Sequence, residues 1–301
     1  MKLLLSVFLL VTGFLTNAPG RAEPASEPTP SAMELAIQKA GQEAMKVATH
    51  GPAQVRLGDQ AVIALPRGYQ FVPQPEAGRF MEAMGNSNAS TMLGLIFPDG
   101  DNAGNWLVVA DLEPSGYVKD DEARDWDADE LLVNLKEGTE AGNEARRARG
   151  IPEFEVIGWA EKPAYDAATH RLVWSALAQD KGSPADAVQT VNYNTYALGR
   201  DGYISLNLIT DSASVEADKP VAKTLLAALE YLPGKRYTDF DANTDKVAEY
   251  GLAALVAGVA AKKLGLFAMV GAFLLKFLKP LLLVGAGLVA GVRKWVTRNA
   301  E

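Results

Sequence analysis

Residues 153–210 read EFEVIGWAEKPAYDAATHRLVWSALAQDKGSPADAVQTVNYNTYALGRDGYISLNLIT, and the reading of this stretch decides the fold. It divides into four strand-like runs, 153–163, 171–180, 187–199 and 202–210, rich in aromatic and β-branched residues and separated by turn signals. Asp166-Ala-Ala-Thr-His170 reads as a hairpin loop between the first two runs. Asp201-Gly202 is a tight-turn dipeptide between the last two, because Gly accepts a positive φ. Strands joined by hairpins pair antiparallel, so the stretch predicts an antiparallel sheet.

Upstream, a helix is expected over 33–48, stopped by Gly51-Pro52, followed by short strands at 54–57, 60–65 and 69–72. A short helix at 76–84 and two apolar strands at 92–97 and 105–113 come next. A longer helix should start near Asp127 or Asp129 and run to Arg149, with carboxylates at its N-terminus and arginines at its C-terminus, as the macrodipole favours. Downstream a helix is expected over 215–231. The mixed order implies an α+β fold, an antiparallel sheet with packed helices, loosely similar to the Mog1/PsbP-like sandwich domains.

The two ends are of another character. Lys2, the apolar run 3–15 and the small residues Gly20 and Ala22 read as a secretory signal peptide over 1–22. Thirteen apolar residues span only about 20 Å as a helix, short of a hydrocarbon core of about 30 Å. Residues 23–49 are expected to form a flexible Pro/Ser-rich leader and a short helix, and 50–240 the exported domain. Residues 246–298 read as a membrane-anchoring helical segment.

That segment is interrupted. Lysines divide its apolar blocks, so a span must carry Lys276 and Lys279, and Pro280 would kink it. Arg293 and Lys294 supply a stop-transfer cluster consistent with a cytoplasmic C-terminus, and Gly287-x-x-x-Gly291 has the spacing of close helix packing. An interfacial helix or a short hairpin is the rival to a span.

Charge separates the same regions. The whole chain is −8; residues 1–22 contribute +2 and 246–301 contribute +6, which leaves −16 for the middle. So acidic a domain repels nucleic acid and anionic lipid. Cys is absent, which excludes disulfides, thiol chemistry and a lipid-modified cysteine anchor.

Several collinear stretches are more specific: Gly116-Tyr-Val-Lys-Asp-Asp121, Gly158-Trp-Ala-Glu-Lys-Pro163 with Tyr165-Asp166, Thr169-His-Arg-Leu-Val-Trp174, Asn192-Tyr-Asn194, Leu198-Gly-Arg-Asp-Gly202, Tyr237-Thr-Asp-Phe240 and Tyr250 to Gly258. With them the chain resembles a bacterial membrane-anchored family known as domain of unknown function 2167. The resemblance implies an exported, membrane-attached protein, and brings no catalytic residues.

The residues themselves offer few chemical candidates. His50 and His170 are isolated, and His170 reads most simply as a turn residue. Asp125, Asp127 and Asp129 have the first spacings of a calcium loop, but Glu130 and Lys136 stand where Gly and Glu belong, and a helix N-terminus accounts for the carboxylates. Trp159, Trp174, Tyr193 and Tyr196, with Glu161, Asp166, His170 and Arg200, are candidates to line a groove for peptide, glycan or lipid; aromatic core is the alternative. No cofactor loop is recognised. Two function classes follow: a non-enzymatic envelope binding or assembly module in the inner membrane with a periplasmic domain, partnered by the membrane, by itself or by another membrane protein; or a carboxylate-dependent enzyme acting on envelope material through Glu161 and Asp166.

Overall fold

The computed structural model describes residues 32–84, 86, 90–100, 104, 106–124, 126–148, 153–184 and 188–257. Chain order gives α1 (Ala32–Lys46), β1 (Thr49–His50), β2 (Ala53–Leu57), β3 (Ala61–Leu65), β4 (Tyr69–Pro73), α2 (Glu76–Ala83), β5 (Met92–Pro98), β6 (Leu107–Glu113) and α3 (Ala128–Ala148). There follow β7 (Phe154–Asp166), β8 (Arg171–Asp180), β9 (Thr190–Leu198), β10 (Tyr203–Asp211), α4 (Val215–Ala227), β11 (Leu229–Tyr231) and α5 (Ala253–Ala257). Single 3₁₀ turns lie at Asp121–Arg124 and Tyr237–Asp239.

Eight strands form one sheet in the order β1-β4-β5-β6-β10-β9-β8-β7, and β11-β3-β2 form a second. Every named strand pair is antiparallel. The alternation of strand side chains then builds the layers. On β10, Ile204, Leu206 and Leu208 enter one cluster with Val215, Ala222, Leu225 and Leu226 of α4 and with Val55, Ile63 and Leu65 of the small sheet. Tyr203 and Ile209 point the opposite way. Each buried Leu or Ile stabilises the fold by about 1.5–3 kcal/mol, so this layer carries the core.

The opposite face holds two separate helical packs. Ile37 and Ala44 of α1 and Phe80 and Met81 of α2 close over Val72, Leu95, Leu107, Val109 and Ile209. At the other side Leu131 of α3, Val118, Tyr237, Leu252, Leu255 and Val256 close over Leu172, Trp174, Tyr196, Leu198 and Tyr203.

The structure departs from expectation in four places. The helix read into the leader is α1, and it packs into the domain, with Ile37 and Ala44 buried. The helix expected to reach residue 231 ends at Ala227, because Leu229–Tyr231 complete the small sheet against β3. The β9–β10 connection is a four-residue loop, Gly199 to Gly202, closed by Gly199 N–H donating to the Gly202 carbonyl at 2.8 Å. Gly202 sits at φ 148°, where a Cβ would run into the Glu113 carbonyl.

The fourth departure is the C-terminal boundary. Residues 246–257, expected to open the membrane segment, lie on the domain and supply Leu252, Leu255 and Val256 to its core. Their apolar character therefore has a use inside the fold. Among the described residues no helix is long and apolar enough to cross a membrane. Residues 1–31, with the expected export signal, and 258–301, with the expected anchor residues Lys276, Lys279, Pro280, Gly287, Gly291, Arg293 and Lys294, lie outside the described residues.

Candidate functional site

The groove expected from Trp159, Trp174, Tyr193 and Tyr196 is not one surface. Register puts Trp174, opposite Asn194, and Tyr196, opposite Leu172, on the sheet face under α3. Trp159 joins them, edge-on to Trp174 with ring centroids 6.0 Å apart, and donates its indole N–H to the Ala128 carbonyl at 3.0 Å. Tyr193 belongs to the other layer, fully buried beneath α4. Burial and the nearby Glu161 carboxylate push its phenol well above the usual tyrosine range.

The two carboxylates considered for catalysis do not converge. Glu161 accepts from Lys223 Nζ of α4 at 2.8 Å. Burial opposes its charge, but the Lys223 and Tyr193 contacts outweigh it and hold Glu161 below its ordinary value. Asp166 turns into its own hairpin loop, accepting from Ala168 N–H at 2.9 Å and Thr169 Oγ1 at 2.7 Å. Asp127 caps α3, its Oδ1 accepting from Asp129 N–H at 2.7 Å and Glu130 N–H at 3.3 Å. Asp129 pairs with Lys162 at 3.1 Å, and Asp125 lies outside the described residues. Among the described residues no three His, Cys, Asp or Glu side chains gather as a metal nest.

Sequence-distant segments instead meet at the β7–β8 hairpin. Tyr165 donates its hydroxyl to Asp120 Oδ2 at 2.6 Å, and His170 Nδ1 lies 3.2 Å from the same phenol oxygen and 3.7 Å from Asp120 Oδ2. His170 occupies the turn with φ 53° and lays its ring 4.2 Å from that of Tyr237. Tyr117 stacks between Tyr237 and Phe240, at 4.3 and 3.9 Å. Tyr237 donates to the Val118 carbonyl at 2.9 Å. Burial first, and Asp120 second, push the Tyr165 phenol far above its usual range, so it serves as a fixed donor and not as a base.

The chain beyond Phe240 is strapped to this cluster. Tyr117 N–H donates to the Lys246 carbonyl at 2.8 Å, and Ala248 N–H donates back to the Tyr117 carbonyl at 2.9 Å. Arg200 forks onto Asp245 with bonds of 2.7 and 2.8 Å, and Asp245 is held well below the usual carboxylate range, by Arg200 first and the Asp241 N–H second. Glu122 Oε1 accepts from Ala253 N–H at 2.7 Å. Arg200 thus belongs to the strap and not to a ligand groove. Asp120, Glu122, Tyr165, Tyr237 and Asp245 were not singled out as site residues from sequence. The first four lie in or beside the long motifs, but partners up to 131 positions apart cannot be matched by spacing.

Fold and strap together define an α+β domain whose C-terminal segment is built into one end of its sheet. The chain belongs to the family described as protein of unknown function (DUF2167), whose model matches residues 49–287. Among solved structures it is similar to cyanobacterial PsbP (CyanoP) from Synechocystis sp. PCC 6803, at 10% identity and a TM-score of 0.34, over 62% of this chain and 91% of that one. It is also similar to a mutant of the protein Mog1, at 13% identity and a TM-score of 0.33, over 59% of this chain and 94% of that one. Both likenesses concern fold alone. No curated protein matches the chain.

Proposed function

We propose that this protein is a non-enzymatic module of the bacterial cell envelope, with a periplasmic acidic domain and a C-terminal anchor in the inner membrane. The observation that carries the reading is the strap. Residues 241–257 are held by the Arg200–Asp245 fork, the Tyr117 backbone pairing and the Glu122 cap. In sequence the apolar, lysine-interrupted stretch continues from the strap through residue 292. A C-terminal segment fastened to the sheet in this way fixes the direction in which the chain leaves the domain, which suits a docking or assembly module. The family model also runs through residue 287, covering domain and apolar segment together.

The rival reading, a carboxylate-dependent enzyme acting on envelope material, has less support, since Glu161 and Asp166 are each engaged and point to different surroundings. A reporter fused after Ala257 tests the topology. Alkaline phosphatase activity with a silent cytoplasmic reporter is the expected result, and the reverse pattern overturns the proposal.

A further inference from the structure

The strap runs past two carboxyl groups that no cation neutralises. Asp111 and Glu113 stand two residues apart on β6, so they share one face of the sheet, about 7 Å apart along the strand. Register sets Asp111 opposite Ser205 and Glu113 opposite Tyr203 of β10. Tyr203, 2% exposed, belongs to the cluster that the strap closes with Leu252 and Leu255. Tyr250 of the strap packs on the same cluster. Its hydroxyl is shut off from water, turned toward Ser115 and Tyr203 without closing a bond to either, and within reach of the Glu113 charge. Glu113 therefore lies where strap meets sheet, and Asp111 lies beside it.

The neighbouring elements supply no compensating charge. Ser205 and Tyr203 come from β10, Met92 from β5, Ser115 from the turn after β6 and Tyr250 from the strap. The nearest charges on the strap, Lys246 and Glu249, are exposed. Among the described residues neither carboxyl has a Lys, Arg or His partner. Burial raises both above their ordinary values, and Glu113 pushes Asp111 further, to about 6. Both are half-buried by surface, so protons reach them even though the charged forms are poorly solvated.

We propose that Asp111 and Glu113 form a proton-operated catch on the strap: neutral, they let residues 246–253 seat on the sheet, and ionised, they loosen that span while Leu255 and Val256 stay packed. A neutral carboxyl offers the phenols of Tyr203 and Tyr250 both a donor and an acceptor. Two carboxylates on one face repel each other and draw water toward the strap. Opening the span returns both groups to water, where they ionise at ordinary values. The catch is therefore closed below about pH 4, weakens as pH rises, and completes the Asp111 share of the change a little above 6. The other fastenings do not follow this window. Asp245 is held charged by Arg200 far below it, and the Tyr117 backbone bonds do not titrate. The catch lies within the domain, so it stands whichever side of the membrane the domain faces.

Hydrogen–deuterium exchange of the full chain in detergent, at pH 4.5 and 7.5 and corrected for the intrinsic rate at each, tests the catch. Protection of residues 246–253 should fall about five- to twentyfold between the two pH values. In the Asp111→Asn, Glu113→Gln double variant that fall should vanish, with protection at pH 7.5 close to that of the parent at pH 4.5. Other strap acids titrate alike in parent and variant, so the comparison isolates these two. Should the double variant not fold, Asp111→Asn alone must shrink the fall. Unchanged protection in the parent or the same fall in the variants overturns the catch. So does loss of protection in 190–211 in step with 246–253, because the charge would then act on the whole fold.

Discussion

Burial, reinforced by Glu113, pushes the Asp111 carboxyl up to about 6, against an ordinary 3.8. An acid whose folded value lies above its unfolded one is stable in the fold while neutral. Asp111 therefore costs nothing below about pH 4, and its penalty grows as pH rises through about 6. Two pH units correspond to about 3 kcal/mol, and its partial exposure to water reduces this to about 1–2 kcal/mol. Asp111→Asn removes the charge and keeps the shape, so it should raise the melting temperature by about 2–6 °C at pH 7.5 and leave it unchanged at pH 3.5. Thermal melts of the full chain at both pH values check this, and an equal gain at both would show that charge is not the cause. Residues that serve packing behave differently. Gly251 has the Glu122 carboxylate where a side chain would stand, so Gly251→Ala must displace Glu122 from Ala253 N–H. The loss expected is that of a helix cap, about 1 kcal/mol.

At the scale of elements, the strap divides the fold at a point no local pattern marks. Leu252, Leu255 and Val256 are buried against Leu172, Leu198 and Tyr203. Losing three such side chains costs roughly 6 kcal/mol, comparable to the whole stability of a domain. A chain ending at Phe240 should therefore aggregate or melt without a cooperative transition, whereas one ending at Ala257 should remain folded. Circular dichroism melts of both truncations decide it. The hairpins of 153–210 were legible because strand, turn and strand are local, and the turn residues Asp166–His170 and Asp201-Gly202 stand where the structure turns. The strap was not legible, because Leu252 to Val256 have the same composition as the apolar residues after them. Composition does not say which surface a side chain meets. Of the site, Trp174 and Tyr196 share one sheet face, as residues of neighbouring paired strands, but that face is buried under α3. Tyr193 differs from Tyr196 by three positions, so strand alternation sends them to opposite faces. On β7 the register shifts between Trp159 and Glu161, which turns neighbours of equal parity to opposite sides, and no sequence signal announces such a bulge.

At the scale of the molecule, an acidic domain is followed in sequence by an apolar, lysine-bearing segment. Under the proposed topology, the strap limits how the domain can face the bilayer. The middle of the chain carries −16 once the +2 and +6 ends are removed from the total of −8, so anionic headgroups would repel it, and in the proposed topology the strap is what holds it beside the surface. The proposed anchor lies in 258–298, and Lys276 and Lys279 would each cost about 2.5–3.5 kcal/mol at the centre of a span. Lysines of that cost persist where a polar neighbour or an interface receives them, and the self-associating anchor proposed here, with Gly287 and Gly291 at its contact, would supply one. Two measurements separate the parts of this claim. Carbonate at pH 11 should leave the protein in the membrane pellet, whereas an interfacial helix should wash off. In membranes, crosslinking should trap an oligomer of the parent chain, and Gly287→Leu with Gly291→Leu should abolish it at unchanged yield, because two isobutyl groups prevent backbones from approaching closely. Oligomer persisting in the double variant would remove the packing claim and leave the anchor alone. Release by carbonate would remove both, and the domain would then be held at the envelope by a partner.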